Sequence, residues 1–309
     1  KEVYRVLKPG GHVLSFSSAR TYHRMSINIE LAGFEIRDQI MWMYGQGLPK
    51  SQNVGKKVDE IQGNERRVVE VKKVYKLQLH TESKRTKVPY EVTTGDSEWE
   101  GWGTGLKPAH EPICVARKPI SKKTVAENVL QFGTGAINIE GSKIQSEDQD
   151  RHPSNVIFDA TSVEALTIQN PLAEKFFFVS KPGIKEKLIG FVEGRNSHPT
   201  VKPVALMAYL CKLVTPADGV ILDPFMGSGS TGVSALCSGF KFVGMELGED
   251  YYQISRTRIS QFELFMEFIP TKTSSMKKVG KTKKKKLSTQ GSTNKVGGIW
   301  GGLKLVKVA

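Results

Sequence analysis

The stretch DPFMGSGSTG, Asp223 to Gly232, lies between the apolar run GVIL and the helix-like segment VSALCSG. Its glycines have the spacing G-x-G-x-x-G, and the segment KFVGMEL follows as a second apolar run. A strand, a glycine-rich turn, a helix and a further strand in this order predict a βαβ unit. Glycines in such a turn allow the backbone to approach a ligand closely.

Three kinds of ligand are compatible with a glycine turn between a strand and a helix. A phosphate loop of the Walker type requires a Lys before its Ser or Thr, and GSGSTG contains none. A dinucleotide site requires an acidic residue about twenty positions further on, and Glu246 lies 19 residues beyond Gly227. A nicotinamide or flavin cofactor therefore remains compatible with the spacing, as does S-adenosylmethionine.

The carboxylate of Asp223, at the end of the first strand, distinguishes these ligands. Beside a pyrophosphate it would add like-charge repulsion to a site that must attract anions. Beside S-adenosylmethionine the same charge is favourable, because this ligand carries an ammonium and a sulfonium group. Its carboxylate can then meet backbone N–H groups of the turn, while Glu246 binds the ribose. The alternative for Asp223 is a helix N-cap, a role that Asp often has.

The amino-terminal part of the chain also alternates between strand and helix patterns. KEVYRVLKPGG indicates the end of an amphipathic helix, HVLSF a buried strand, TYHRMSINIELAGF a helix that ends at Gly33, and EIRDQIMWMYG another strand. This alternation is typical of a parallel sheet with crossover helices. The pattern loosens from about Gly47 to Gly105; PICVARKP then forms a strand, and Pro203 begins a helix through Leu213.

Charge and composition limit the function classes. The chain has 309 residues and a net charge of +14, but eleven of its lysines and none of its acidic residues lie from Pro270 onward. Such a tail cannot bury enough apolar surface to order itself, and it is either a solvated segment or a non-specific contact for phosphates. Apolar runs are interrupted by charges, as Lys212 interrupts VALMAYLCKLV, so no membrane span is expected. Three cysteines without paired or metal-ligand spacing predict reduced thiols in the cytoplasm and no metal site.

Several segments together resemble one known family. DPFMGSGST, with HPTVKP 25 residues upstream and GMEL downstream, is similar to the cofactor half of the circularly permuted (beta-type) amino-group DNA methyltransferases. LKPGGHVLSFSSARTYHRM, AGFEIRDQIMWMYGQGLPKSQNV, LKPAHEPICVARKP and RHPSNVIFDA are similar in wording and order to phage and bacterial members. The likeness covers most of residues 1–269. The usual pattern is DPF-x-GSGTT, from which Ser230 departs.

The resemblance implies an α/β fold: a Rossmann-like mixed sheet of seven strands with helices on both faces, as in the S-adenosylmethionine-dependent methyltransferases. It implies a permuted order, with a partial catalytic half in 1–119, an inserted target-recognition region in 120–197 and a cofactor-binding half in 198–269. The basic residues 270–309 follow the likeness as a tail that is expected from its composition to be disordered. The implied partner is double-stranded DNA, in the cytoplasm of a bacterial cell or a phage-infected host and in a restriction-modification setting.

By the same comparison, nine residues would bind the cofactor S-adenosylmethionine. Glu246 would hold the ribose, and HPTVKP would border the methionine end. Phe225 has an alternative as a core aromatic residue, and Lys202 as a surface residue at the start of a helix. The full set is Asp223, Phe225, Gly227, Ser228, Gly229, Glu246, His198, Thr200 and Lys202.

The motif that carries the chemistry in this family is absent from the 309 residues. Methylation of an exocyclic amino nitrogen requires a flipped base and acceptors for its N–H protons. The family supplies them with an Asp, Ser or Asn followed by Pro-Pro and an aromatic residue, yet none of the 14 prolines is adjacent to another. In the family pattern this motif lies just upstream of Lys1. We therefore expect an amino-terminally truncated fragment that is inactive alone, and no catalytic residue is assigned.

Two other functions stay open at this point. A non-catalytic DNA-binding homologue is supported by the missing motif and the Lys-rich tail, and a nicotinamide or flavin oxidoreductase by the glycine spacing. The choice between adenine and cytosine depends on the first letter of the missing motif. Asp159, His110 and Glu111 lie near predicted strand ends and are expected to be structural. Trp99 and Trp102 either stack on bases or pack.

Overall fold

The computed structural model describes residues 1–45, 47, 49–75, 87–144, 150–159, 177–189, 196–269 and 304–306. The chain divides into two compact units. The first combines Lys1–Gly45 with His110–Ala309, and the second consists of Gln46–Ala109. The second unit coincides with the stretch in which the sequence pattern loosens, and it was not among the expected domains. The boundaries expected at 119, 197 and 269 stay predictions, and most of the expected tail lies outside the described residues.

The strands and helices agree in place with most of the sequence patterns. In chain order the strands are β1 (His12–Phe16), β2 (Glu35–Met43), β3 (Arg67–Tyr75), β4 (Lys87–Thr94), β5 (His110–Arg117), β6 (Val156–Phe158), β7 (Phe177–Phe178), β8 (Val220–Asp223), β9 (Lys241–Met245) and β10 (Lys304–Val306). The helices are α1 (Glu2–Val6), α2 (Tyr22–Leu31), α3 (Val54–Gln62), α4 (Val125–Phe132), α5 (Ile184–Leu188), α6 (Val204–Val214), α7 (Ser230–Cys237) and α8 (Glu249–Ser260). Glu140–Ser142 and Phe262–Phe268 form 3₁₀ turns.

A five-stranded mixed sheet forms one part of the first unit, in the order β1-β5-β2-β6-β7. β5 is antiparallel to both β1 and β2, while β6 and β7 run parallel to β2. β1 and β2 are therefore not neighbours, because β5 occupies the position between them. The mixed α/β fold implied by the resemblance is confirmed, whereas the purely parallel pairing suggested by the strand–helix alternation is wrong here. The total of seven strands stays a prediction.

The βαβ unit predicted from the glycine stretch is present. β8 and β9 are parallel, α7 connects them, and β10 pairs in parallel with the other edge of β9. α7 begins directly after Gly229, which has φ +78° and a backbone conformation that favours glycine. This geometry positions the glycine turn at the carboxyl ends of two adjacent parallel strands, where ligands bind in open α/β sheets.

α6 contributes to two hydrophobic cores. On one side Leu206, Tyr209, Leu210 and Leu213 pack with the five-stranded sheet, including Trp42. On the other side Val204 and Ala208 pack with residues of α7, β9, α8 and the following 3₁₀ turn. A third cluster covers the opposite face of the five-stranded sheet with α1 and α2. The first unit is thus layered, with α6 shared between its two sheets.

The second unit contains α3 and the antiparallel hairpin of β3 and β4. The Asn53 side chain accepts a hydrogen bond from the Lys56 N–H at the start of α3, and Gly63 ends the helix with φ +73°. The partly buried Arg66 pairs with Asp59 and Glu100 beside this helix. A left-handed glycine thus ends α3. In the first unit, Thr124 and Glu127 form a capping box at the start of α4.

Among the helices that the structure describes, none combines the length and the apolar character needed to span a lipid bilayer.

Candidate functional site

The glycine turn runs from the end of β8 to the start of α7. Gly227 and Gly229 have φ of +53° and +78°, which residues with side chains rarely adopt. At Gly232 glycine is required for space, because a Cβ there would lie 2.6 Å from the Ile259 side chain. The third glycine therefore allows α7 to pack closely against α8.

Asp223 ends β8 and uses both carboxylate oxygens within the turn. Oδ1 accepts the Phe225 N–H at 3.0 Å, and Oδ2 accepts the Thr231 hydroxyl at 2.6 Å. Asp223 is not the N-cap of α7, a position that Gly229 occupies. Burial raises the pKa of the Asp223 carboxyl against the lowering effect of these two hydrogen bonds, and the negative charge of Glu246 raises it further.

Glu246 directly follows β9 and lies against the same turn. Its Oε2 accepts the Gly227 N–H and its Oε1 the Gly248 N–H, both at 2.9 Å. The strand register places Asp223 opposite Gly244, two residues before Glu246. Two carboxylates thus share the carboxyl edge of adjacent parallel strands. The negative charge of Glu246 disfavours the ionised form of Asp223, so the arrangement favours a ligand that brings positive charge.

The HPTVKP segment lies across the turn through His198. A Cβ on Gly227 would lie 2.6 Å from His198 Nε2, so the imidazole contacts this glycine directly. Nδ1 accepts the Thr200 N–H at 3.3 Å, and the ring meets Tyr251 edge to face at 4.7 Å. Burial lowers the pKa of His198. Because Nδ1 is an acceptor, the neutral ring carries its proton on Nε2, the nitrogen at the turn.

Lys202, in the same segment, reaches the five-stranded sheet instead. Its Nζ lies 3.0 Å from Glu111 Oε2 and 5.0 Å from the centroid of the Phe16 ring. Glu111 belongs to β5 and Phe16 to β1, so the segment connects the glycine turn with the edge of the first sheet. The Lys202 side chain is only 22% exposed, and its alternative as a plain surface residue is wrong. The structural role expected for Glu111 agrees with this ion pair.

The other predicted site residues differ in exposure. Phe225 is 88% exposed, so its alternative as a core residue is wrong. Thr200 is exposed, and its backbone N–H makes the contact with His198. Ser228 is buried, with its carbonyl and hydroxyl directed to Arg258. The structure therefore brings the glycine turn, Glu246 and His198 together, whereas the Lys202 amine points to a different edge.

Arg258 is the residue at this site that sequence reasoning missed. It lies on α8 and is fully buried, and its Nη1 donates to the Ser228 carbonyl at 2.7 Å and to the Ser228 hydroxyl at 3.0 Å. Burial lowers its pKa to about 10. Its helical spacing from the buried Ser255 and Ile259 indicates the inward face. A charged residue is nevertheless assumed to be exposed, as Arg256 on the same helix is.

The remaining candidates from the sequence do not form a second reactive centre in the described residues. Asp159 Oδ2 accepts the Gly45 N–H at 3.1 Å, which fits the expected structural role. Trp99 and Trp102, in the second unit, meet edge to face at 5.2 Å and are 41% and 60% exposed. In the described part of the chain, no three His, Cys, Asp or Glu side chains converge as metal ligands would.

Fold and site together define an α/β protein with a glycine turn at the carboxyl ends of two parallel strands. The chain belongs to the N6/N4 family of DNA methylases, whose family model matches residues 1–257. Membership in this family indicates S-adenosylmethionine as the cofactor.

Individual relatives share low sequence identity with this chain or match only a short part of it. The Type II methyltransferase M.HindIII of Haemophilus influenzae is 26% identical over 260 residues, which are 84% of this chain and 66% of that protein. The putative methylase YubD of Escherichia coli is 40% identical over 74 residues, 24% of this chain and 33% of that protein. The chain thus spans at most about two thirds of these relatives. The crystal structure of the M1.HpyAVI-SAM complex aligns with a TM-score of 0.44 and 19% identity, over 84% of this chain and 78% of that chain.

Proposed function

We propose that this chain is part of an enzyme that transfers a methyl group from S-adenosylmethionine to the exocyclic amino group of adenine or cytosine in double-stranded DNA. The observation that carries the cofactor site is the convergence of three distant segments on one glycine. His198 of HPTVKP and Glu246 of GMEL both contact Gly227 of the DPFMGSGST turn. Family membership supports the methylase activity.

The residues present fit this cofactor. S-adenosylmethionine supplies a methyl group on a positively charged sulfonium, in a molecule that also carries an ammonium group. Asp223 and Glu246 provide two negative charges at one strand edge, and the raised pKa of Asp223 means that its ionised form gains from a nearby cation. A diphosphate would meet the same carboxylates unfavourably. The oxidoreductase alternative therefore has no support from the charges of the site.

Each residue of the turn has a proposed role. Asp223 attracts the positive groups of the cofactor. The Glu246 oxygens each accept one backbone N–H and keep a lone pair for a ribose hydroxyl. Gly227, Ser228 and Gly229 offer backbone to the ligand, with the Ser228 side chain turned toward Arg258. Phe225 presents its exposed ring at the opening of the site.

HPTVKP is proposed to border the methionine end. The Nε2–H of His198 is a donor at the turn, next to Gly227. Thr200 fixes the imidazole through its N–H. Lys202 contributes indirectly, since its ion pair with Glu111 holds the segment against the first sheet.

Activation of the amino group in DNA requires acceptor groups, and the motif that supplies them in this family is absent from the 309 residues. The lone pair of an exocyclic amino group is delocalised into the base, and acceptors on its protons are needed to localise it. None of the 14 prolines is followed by another, so the Pro-Pro motif is absent. We propose that these 309 residues alone transfer no methyl group, and that 120–197 contact the DNA sequence. Incorporation of labelled methyl groups into DNA by this chain would contradict the first statement.

The cofactor site is tested by calorimetric titration of the chain with S-adenosylmethionine, S-adenosylhomocysteine and NAD. We expect the first two to bind and NAD not to bind. Asp223→Asn keeps an oxygen acceptor for the Phe225 N–H and removes the charge. The variant should reduce the affinity for S-adenosylmethionine by roughly tenfold, since an opposite charge within a few ångströms contributes on the order of 1 kcal/mol. Unchanged affinity, or binding of NAD, would overturn the assignment.

A second candidate is a non-catalytic DNA-binding homologue, which the absent Pro-Pro motif favours. The two candidates differ in cofactor binding. A chain that retains DNA but shows no measurable affinity for S-adenosylmethionine would support the binding module.

A further inference from the structure

The buried guanidinium of Arg258 lies behind the glycine turn, and its hydrogen-bond acceptors in the described residues include no carboxylate. Arg258 has no exposed surface. Within the described residues only its Nη1 makes hydrogen bonds, to the Ser228 carbonyl and hydroxyl and to the Ser230 hydroxyl at 3.4 Å. Its Nε and Nη2 atoms have no hydrogen-bond partner in the described part of the chain. All acceptors of this guanidinium are therefore neutral oxygens. A buried cation that lacks full hydrogen bonding is unfavourable, which points to a function beyond packing.

The surroundings of Arg258 leave much of its positive charge uncompensated. Its guanidinium lies 5.1 Å from the centroid of the Phe265 ring, a modest contribution. The negative charge of Glu186 raises the pKa of Arg258 against the larger, lowering effect of burial. Glu186 is itself buried and accepts the Val204 N–H at 2.7 Å at the start of α6. The charge of Arg258 also reaches His198, whose pKa is lowered mainly by burial, against the raising effect of Glu246, and to a smaller extent by Lys202 and Arg258.

The charges around the turn are thus separated in space. Asp223 and Glu246 stand at the strand ends, while Arg258 stands behind Ser228 and next to the first turn of α7. The amino end of a helix adds positive potential of its own, because its first N–H groups have no intrahelical acceptor. One side of the site therefore favours cations and the other side favours an anion.

We propose that Arg258 is a positioning residue that makes the turn at Ser228 and the start of α7 selective for the carboxylate of the cofactor's amino-acid part. This inference rests on the proposed function. Arg258 does not touch the ligand; it fixes the Ser228 carbonyl away from the site and adds a positive charge beneath the backbone N–H groups. The amino-acid part of the cofactor is a zwitterion, and the separated charges match its two ends.

The test compares two ligands that differ in this part. S-adenosylhomocysteine carries the amino-acid group, and 5′-methylthioadenosine lacks it. Three variants of the 309-residue chain separate charge from hydrogen bonding: Arg258→Lys retains charge, Arg258→Gln retains donors, and Arg258→Met retains neither. Arg256→Met, on the exposed face of the same helix, is the matched control. Thermal unfolding of each variant is measured alongside.

We expect Arg258→Met and Arg258→Gln to reduce the preference for S-adenosylhomocysteine over 5′-methylthioadenosine by about tenfold, the size of one charge-assisted contact. Arg258→Lys and Arg256→Met should keep it. If Arg258→Met fails to fold, the contrast between the Gln and Lys variants decides. Equal losses for both ligands, or a Gln variant that keeps the preference, would overturn the inference. Wild-type protein that binds neither ligand would instead refute the proposed function, and with it this inference.

Discussion

Arg66 and Arg258, two arginines whose side chains expose little surface, have opposite hydrogen-bonding environments. In the second unit, all three nitrogens of Arg66 donate, to Asp59 and Glu100 and to the hydroxyl and carbonyl of Thr93. In the first unit, Arg258 donates from one nitrogen to neutral oxygens, and its other two nitrogens have no partner in the described residues. A fully paired guanidinium is what a stable fold requires. The incompletely paired guanidinium lies beneath the turn for which we propose cofactor binding, which is where a local departure from good pairing is expected to serve function.

The largest expected effect separates the two arginines by stability. Arg66→Met leaves the buried Asp59 and the partly buried Glu100 without their cation, and loss of one partner from a buried ionic network is strongly destabilising. We expect the melting temperature of the second unit to fall by roughly 10 °C. Arg258→Met removes no hydrogen-bonded partner from a carboxylate, only the weaker charge interaction with Glu186, and should cost clearly less.

Calorimetry gives the melting temperatures, and hydrogen exchange assigns each loss to 46–109 or to the rest. Arg67→Met, at an exposed ion pair with Asp96, is the matched control and should change little. A larger loss of stability in Arg258→Met than in Arg66→Met would contradict the conclusion that Arg66 contributes more to stability than Arg258.

The second effect concerns binding and isolates the contact between His198 and Gly227. Ala at Gly227 would place its Cβ against the imidazole, 2.6 Å from Nε2, at a φ of +53°. Gly239 has φ +81° with no atom within 4 Å of the same Cβ position. Gly239→Ala therefore carries the backbone strain, about 1–2 kcal/mol, without the collision.

We expect Gly227→Ala to weaken S-adenosylmethionine by tenfold or more, and Gly239→Ala to leave its affinity unchanged. Titration of both variants measures the difference. Equal affinities would show that His198 and Gly227 do not form part of the site.

The smallest effect is the pH dependence of cofactor affinity. Because the pKa of Asp223 is raised in the free protein, its ionised form is unfavourable there and its contribution to stability decreases as pH rises through that pKa. A cationic ligand prefers the ionised form. Affinity for S-adenosylmethionine should therefore decline severalfold as pH falls from 7 toward 4.5.

In Asp223→Asn this decline should disappear, while the melting temperature at pH 7 should stay equal or rise. Titrations at several pH values check both statements. An identical pH profile in the variant would show that Asp223 does not interact with the positive groups of the cofactor.

The parts of the fold that depend on local pattern could be predicted from the sequence. β8, the glycine turn, α7 and β9 follow from periodicity and glycine spacing within one short stretch. The position of β5 could not be predicted, because pairing with β1 and β2 depends on contacts between residues far apart in the chain. The second unit was missed for the same reason, since much of its order comes from an exposed hairpin and the Arg66 network instead of periodic apolar residues.

The site shows a similar division. The charge of the ligand selects Asp223 and the spacing from Gly227 selects Glu246, and the structure places both at the same strand edge. Contacts that cross between segments were beyond such reasoning. Neither the approach of His198 to Gly227 nor the partner of Lys202 on β5 has any trace in residue spacing. Arg258 was missed because a buried, partly unpaired cation is contrary to the general preference of arginine for the surface.

α6 gives the molecule a property that neither sheet has alone. One flank of this helix completes the first core and the other flank completes the second, and HPTVKP is the segment that leads into it. We therefore expect ligand binding at the glycine turn to stabilise the five-stranded sheet through α6. Occupation of the site should thus slow hydrogen exchange in strands that never meet the ligand, a form of long-range thermodynamic linkage.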